Sequence, residues 1–249
     1  MPTRLWSVVI DTAADPAPIA RWWAEALSWP ITFEDPGEYA VEPSTDNDPT
    51  TGVPSLTFCP VPEPKTVKNR VHLDLASQSL DDQRAIVERL IALGARPVDI
   101  GQRDVPWTVL ADLEGNEFCV LDPRDRYTGV GPLAAIVVDA LDPLALARFW
   151  EHASGWTIGY ESEDAVSLHA PHGRPPDVDF VRVADAKTVK DRVHLDVAPF
   201  AEDDRDAEAQ RLIDLGATPV DIGQHDDPET TWVVLADPEG NEFCVLRPR

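Results

Sequence analysis

Residues 65–76, Lys-Thr-Val-Lys-Asn-Arg-Val-His-Leu-Asp-Leu-Ala, recur at 187–198 as Lys-Thr-Val-Lys-Asp-Arg-Val-His-Leu-Asp-Val-Ala, identical at 10 of 12 positions. The two strings hold every lysine of the chain: Lys65, Lys68, Lys187 and Lys190. Working outward, residues 93–102 match 215–224 at 9 of 10 positions, and 107–121 match 232–246 at 13 of 15. Upstream, Asp15-Pro16, Trp22, Trp23 and Trp29 stand in register with Asp142-Pro143, Phe149, Trp150 and Trp156. A period of about half the chain makes each unit domain-sized, unlike the short repeats of a solenoid. The polar, turn-rich stretch 122–132 reads as a linker. Two domains follow, 1–126 and 127–249.

Composition narrows the partners. The chain has 249 residues, 45 Asp+Glu against 21 Lys+Arg, and a formal net charge of -24. At 43% hydrophobic residues it can bury a core, which excludes a disordered acidic chain. So acidic a surface repels phosphate backbones and anionic membranes, so neither nucleic acid nor membrane is an expected partner. Residues 129–138, the longest nearly apolar run, fall short of the ~20 residues that cross a bilayer. Three widely spaced cysteines do not suggest a disulfide framework, and residues 1–6 lack the apolar stretch of a signal peptide. A cytoplasmic location is expected.

Periodicity places the elements. Residues 7–11 read as a strand, and Asp15 with Pro16 as a helix start ahead of Ile19, Trp22, Trp23, Ala26 and Leu27 at helical spacing. Residues 39–42, 56–61 and 71–76 read as strands. Residues 82–93 read as a helix with Ile86, Val87, Leu90 and Ile91 apolar and Gly94 at its end. Strands 107–111 and 116–121 flank the turn Asp112-Leu113-Glu114-Gly115. The order is βαβββ twice per domain.

These modules, the Arg-Val-His-Leu-Asp strand and the ending Leu-Ala-Asp-Pro-Glu-Gly-Asn-Glu-Phe-Cys-Val-Leu resemble the vicinal oxygen chelate superfamily. The likeness is greatest to its glyoxalase-like branch, related to bleomycin-resistance proteins. It implies an α+β fold of tandem domains, each of two βαβββ modules that form a curved, cup-shaped mixed sheet with helices outside. It also implies up to four metal ligands per cup in metal-dependent members, on the first and last strands of each module. Carried over, those positions are Ser7, Cys59, His72 and Cys119 in the first domain, and Ala135, Val181, His194 and Cys244 in the second. Alternation supports the mapping: Val71, Leu73 and Leu75 form one face, so His72 and Asp74 point the other way.

The set Cys59, His72 and Cys119 could hold a soft-tolerant divalent metal. Small buried cysteine is the favoured reading, so no metal or other cofactor is expected. His72 with Asp74, His194 with Asp196, and Glu117 and Glu242 are the acid/base candidates. Trp107 and Trp232 are candidates to stack on a flat ligand. The first domain, with Ser7 and Cys59, has the more polar set. The expected function is metal-independent binding of a small organic metabolite, as in sequestration or resistance. The alternatives are a metal-free lyase, cyclase or epimerase and a metal-dependent glyoxalase-type enzyme. The two domains are expected to form a pseudo-dimer within one monomeric chain.

Overall fold

The computed structural model describes residues 3–13, 15–43, 53–223 and 230–249. The first repeat runs β1 (Thr3–Thr12), α1 (Ala17–Leu27), β2 (Ile31–Asp35), β3 (Glu38–Val41) and β4 (Ser55–Pro60), then β5 (Val71–Leu75), α2 (Leu80–Ala92), β6 (Arg96–Pro97), β7 (Thr108–Ala111) and β8 (Glu117–Val120). The second repeats it: β9 (Leu133–Ala140), α3 (Pro143–Ser154), β10 (Thr157–Glu161), β11 (Ala165–His169) and β12 (Asp177–Arg182), then β13 (Val193–Pro199), α4 (Arg205–Asp214), β14 (Thr218–Pro219), β15 (Val233–Ala236) and β16 (Glu242–Val245). The expected βαβββ order therefore occurs four times.

Local differences from the sequence reading have simple causes. Strand β2 is mostly exposed, with Phe33 on its open face, so burial left no alternating pattern to read. Helix α2 begins at Leu80, before residue 82, because Ser79 caps it by accepting from the Asp82 N–H at 3.1 Å. In α1 the helix starts at Ala17, and Asp15 accepts from the Ala17 N–H at 3.0 Å from just outside the cap. Ile91, expected on the apolar face of α2, is exposed, whereas Leu90 is fully buried.

The strands form two open eight-stranded mixed sheets, ordered β14-β15-β16-β13-β1-β4-β3-β2 and β10-β11-β12-β9-β5-β8-β7-β6. Each sheet joins the first module of one repeat to the second module of the other. Antiparallel ladders make the joins: β1 with β13, and β5 with β9. This corrects the expectation that a cup is made by the two modules of one repeat.

The reason lies in the core. The two modules of a repeat meet back to back through their helices. Trp22 and Trp23 of α1 pack edge-on against Phe118 of β8, with ring centroids 5.8 and 5.1 Å away. Phe149 and Trp150 of α3 meet Phe243 of β16 in the same way, at 5.8 and 5.2 Å. The two indoles Trp23 and Trp150 donate to Asp112 and Asp237, each at 3.1 Å. Those carboxylates also accept backbone N–H groups of the tight turns that end each repeat: Asp112 from Glu114 and Asn116, Asp237 from Glu239 and Asn241. One turn is thus locked and stapled to a helix by a single side chain. With its modules bound back to back, each repeat leaves its cup-side strands β1 and β5, or β9 and β13, to pair with the other repeat.

An isolated first repeat, residues 1–126, would expose β1 and β5 as unpaired edges. It is expected to self-associate, pairing β1 of one copy with β5 of another. Sedimentation of that fragment as a stable monomer with full strand content would contradict this topology.

Candidate functional site

Strand alternation sets which side chains face each cup. In the sheet centred on β9 and β5, Ile136, Val138, Leu73, Phe118, Val178 and Phe180 enter the core. Their neighbours turn to the opposite face. Register arranges those neighbours in rows. Asp177 pairs with Ala135, Ala135 with Asp74, Asp74 with Cys119, and Cys119 with Val109. In the next row Ser167 pairs with Asp179, Asp179 with Val137, and Val137 with His72. This second cup opens into a cavity of about 1390 Å³. Its wall includes Trp107, Val109, Leu121 and Tyr127 on one side and Asp177 and Asp179 on the other. Gly159 allows His169 to lie across the far wall, since a Cβ there would fall 1.9 Å from the imidazole.

The first cup, on the sheet centred on β1 and β13, repeats the scheme with other residues. Ser7 pairs with Ser55 and Asp196, and Asp196 with Cys244. Val9 pairs with Thr57 and His194, and Asp11 with Cys59. Crossed pairing therefore redistributes the sequence candidates. Cys59 lies in the first cup, whereas His72 and Cys119 lie in the second, so Cys59, His72 and Cys119 are not one metal site. Ser7 and Cys59 share a cup with His194 and Cys244; Ala135 and Val181 share one with His72 and Cys119. At the family ligand positions the cup with Ser7 and Cys59 remains the more polar one, but beside them Asp177 and Asp179 of β12 stand where that cup has Ser55 and Thr57.

The acid/base candidates divide by environment. Glu117 accepts from the Lys65 ammonium at 2.8 Å and from the Asn69 N–H at 3.2 Å. Glu242 accepts from Lys187 at 2.7 Å and the Asp191 N–H at 3.0 Å. Both glutamates are thus engaged in anchoring the connectors. His72 Nε2 stands 3.6 Å from Asp74 Oδ1, and His194 Nε2 3.5 Å from Asp196 Oδ1. Burial, helped by the nearby Lys68 cation, lowers His72 to about 3 and keeps its ring neutral. Burial, reinforced by the charge of Asp179, pushes Asp74 up to about 7, although the hydrogen-bonded Cys119 thiol opposes this. Burial and Asp177 push Asp179 up to about 6. Burial also raises the Cys59, Cys119 and Cys244 thiols. Asp196 rises to about 6, again chiefly through burial.

The metal set implied by the sequence resemblance does not fit. Ala135 and Val181 offer carbon where donors are needed. In the first cup Cys59 sits opposite Asp11, one cup-facing position beyond the row of His194. What each cup does hold is a smaller group, His72, Asp74 and Cys119 or His194, Asp196 and Cys244, with donor atoms within 4.8 Å of one another. Its thiols are held protonated by burial.

Of the aromatic candidates, Trp107 lines the cavity and its indole donates to Gln102 at 2.8 Å. Trp232 is half-buried just ahead of β15. Trp22, Trp23, Phe149 and Trp150 are core, as their helical spacing indicates. Several cavity residues escaped the sequence reading. Asp177 and Asp179 alternate with Val178 and Phe180, a pattern that could have revealed them. Arg126 and Tyr127 come from the supposed linker, in a short 3-10 turn (Asp125–Tyr127) that local sequence does not place against a cup.

The raised carboxyls carry a sign. A group that holds its proton more tightly when folded stabilises fully below its unfolded pKa of roughly 4, and that contribution is lost as pH rises through the folded value. For Asp74 the window runs from about 4 to about 7. His72 acts in the opposite sense as pH falls below about 6.5. Asp74→Asn is therefore expected to be more stable than the parent at pH 8, by on the order of a few kcal/mol, and level with it near pH 4. Equal differences in thermal midpoint at both pH values would refute the assignment.

A family model described as a glyoxalase-like domain matches residues 7–121 and again 135–246. Among solved structures, glyoxalase I from Zea mays aligns with a TM-score of 0.65 at 14% identity, over 98% of this chain and 92% of that one. A protein from Bacillus subtilis described as a candidate dioxygenase aligns with a TM-score of 0.58 at 12% identity, over 98% and 86%. At such identities the likeness is one of fold. A search of curated proteins finds no match.

Proposed function

From a chain that belongs to the glyoxalase-like domain family in both repeats, we propose a metal-independent protein that binds a small organic molecule in its second cup. The observation that carries this reading is the cavity of about 1390 Å³, a volume suited to an organic ligand, with an apolar wall and a few converging polar groups. Carbon side chains at Ala135 and Val181 favour binding without a metal. Sequestration of a metabolite, in the manner of a resistance protein, is the simplest use of such a cup. One chain supplies both halves of the cup, so a monomer suffices. Among the described residues no helix is long and apolar enough to cross a membrane, and the three free thiols suit a reducing cytoplasm.

A second reading is a metal-free enzyme, a lyase, cyclase or epimerase. The Asp74 carboxyl favours it, because a value of about 7 suits proton transfer near neutrality. His72, held neutral to about 3, is the poorer acid. In that case Asp74→Asn keeps ligand affinity and loses turnover.

The test is a small-molecule screen by thermal shift on protein purified without chelator, with its metal content measured. Compounds that stabilise the parent are expected to lose their effect in Val181→Trp, which fills the second cup, and to keep it in Cys59→Trp, the matching position of the first. Stabilisation indifferent to Val181→Trp, or stoichiometric metal whose removal abolishes binding, would overturn the proposal.

A further inference from the structure

We propose that the ligand of the second cup is an organic cation, an amine or guanidine borne on an aromatic or aliphatic body. This rests on the reading of that cup as a ligand site and names the chemistry it selects. Arg126 forks onto Asp177, with contacts of 2.9 and 2.5 Å. Lys68 meets Asp139 at 2.8 Å, and Arg124 meets Asp122 at 3.2 Å while lying over the Trp107 ring. Lys65 is taken by Glu117. Arg182 is hydrogen-bonded to the backbone carbonyls of Glu163 and Leu141. The cations around the cup are therefore committed.

Two carboxyls have no cation paired with them, although the Cys119 thiol hydrogen-bonds Asp74 and the Ser167 hydroxyl hydrogen-bonds Asp179. Asp74 and Asp179 each have an Oδ1 atom that is shut off from solvent and has no hydrogen-bond partner. Asp74 is only 8% exposed, yet both residues line the cavity. The nearest basic side chain to Asp74 is His72, a neutral ring at 3.6 Å. Arg124 acts on both acids only from a distance. An uncompensated buried carboxylate is costly, and that cost is offset by a positive group with donors to spare.

Register says where such a group would sit. Asp74 flanks Ala135 on one side of β9, and Asp179 flanks Val137 on the other. Asp74, Val137 and Asp179 all border the cavity there. The body of the ligand would then lie along Trp107, Val109, Leu121 and Tyr127. An anion placed there would meet both acids.

The first cup keeps Asp196 at the place of Asp74 but shows that the fold does not require the acids of β12. It is built from the same repeated strands, yet Ser55 and Thr57 replace Asp177 and Asp179. Ser55 and Thr57 hydrogen-bond each other at 3.5 Å and carry no charge. The extra carboxyl at 179 is thus a property of the second cup alone.

The experiment uses the full chain at pH 8 with three probes of similar shape: phenethylammonium, 2-phenylethanol and phenylacetate. Calorimetry is expected to show the amine binding about tenfold or more tightly than either other probe. Asp179→Asn should weaken the amine by a similar factor and leave 2-phenylethanol unchanged. Thr57→Val in the first cup should leave all three unchanged, and the thermal midpoint of each variant reports that it has folded. The proposal is overturned if the alcohol or the carboxylate binds as well as the amine, if Asp179→Asn leaves amine affinity intact, or if the amine does not bind. The alcohol or carboxylate bound instead, and lost in Val181→Trp, would sink the cation while keeping the cup as a ligand site. Binding of any probe indifferent to Val181→Trp would sink that underlying reading as well.

Discussion

The ladders that join β1 to β13 and β5 to β9 run between the repeats, and the content of both cups depends on them. Because side chains alternate along a strand, a slip of one residue would send Leu73 into the cup and His72 into the core. Each ladder carries one irregularity, between Leu5 and Ser7 in one and between Asp74 and Leu75 in the other, so the two joins follow a common pattern. Charges pin the same seams. Lys190 of the second repeat pairs with Asp11 of the first, and Lys68 of the first with Asp139 of the second. Arg70 reaches across to Asn241 and Glu239, and Arg192 to Glu114. Arg70, Arg192 and Asp11 are buried, so each must meet its partner to be tolerated; the pairs fix register where the hydrophobic faces alone fix only the side.

The repeated lysines acquire a physical account from this. In each connector one lysine binds its own repeat, Lys65 to Glu117 and Lys187 to Glu242, and the other binds the opposite repeat. The connector therefore ties the terminal strand of its module to the first strand of the other repeat. Glu117 and Glu242 face the cup by alternation, yet their chemistry is spent on that tie. A face assignment shows where a side chain can go and leaves open what it meets on arrival.

That distinction marks how far the amino-acid sequence could be read. The duplication, the βαβββ modules and the cup-facing parity of His72, Asp74 and Cys119 were legible, because each is local or follows from self-comparison. The partner of each module was not. Periodicity describes a strand's two faces, whereas the choice between pairing within or across repeats is made by the aromatic packing of Trp22 and Trp23 on Phe118 and by Asp112 beneath Trp23. Tyr127 and Arg126 were invisible for a related reason. They sit in a turn whose sequence resembles any polar linker, and only the crossed topology brings β12, with Asp177, within reach of Arg126.

Crossed pairing also permits the two cups to differ without disturbing the frame. Each draws half its residues from each repeat, so a change on β12 alters the second cup while β4, its counterpart, leaves the first as it is. Serine and threonine satisfy one another on β4; of the aspartates on β12, Asp177 has a cation and Asp179 only the Ser167 hydroxyl. Arg126 neutralises Asp177, while Asp179 stands close enough to Asp74 for each carboxyl to raise the cost of ionising the other. A fold under no other demand would relieve that repulsion with a neutral residue, as the first cup does. The large net negative charge of the chain is mostly a solvated exterior, but these two carboxyls belong to a different category. They are carboxyls held inward, beside a wall of hydrocarbon, where they suit the cationic ligand proposed for this cup.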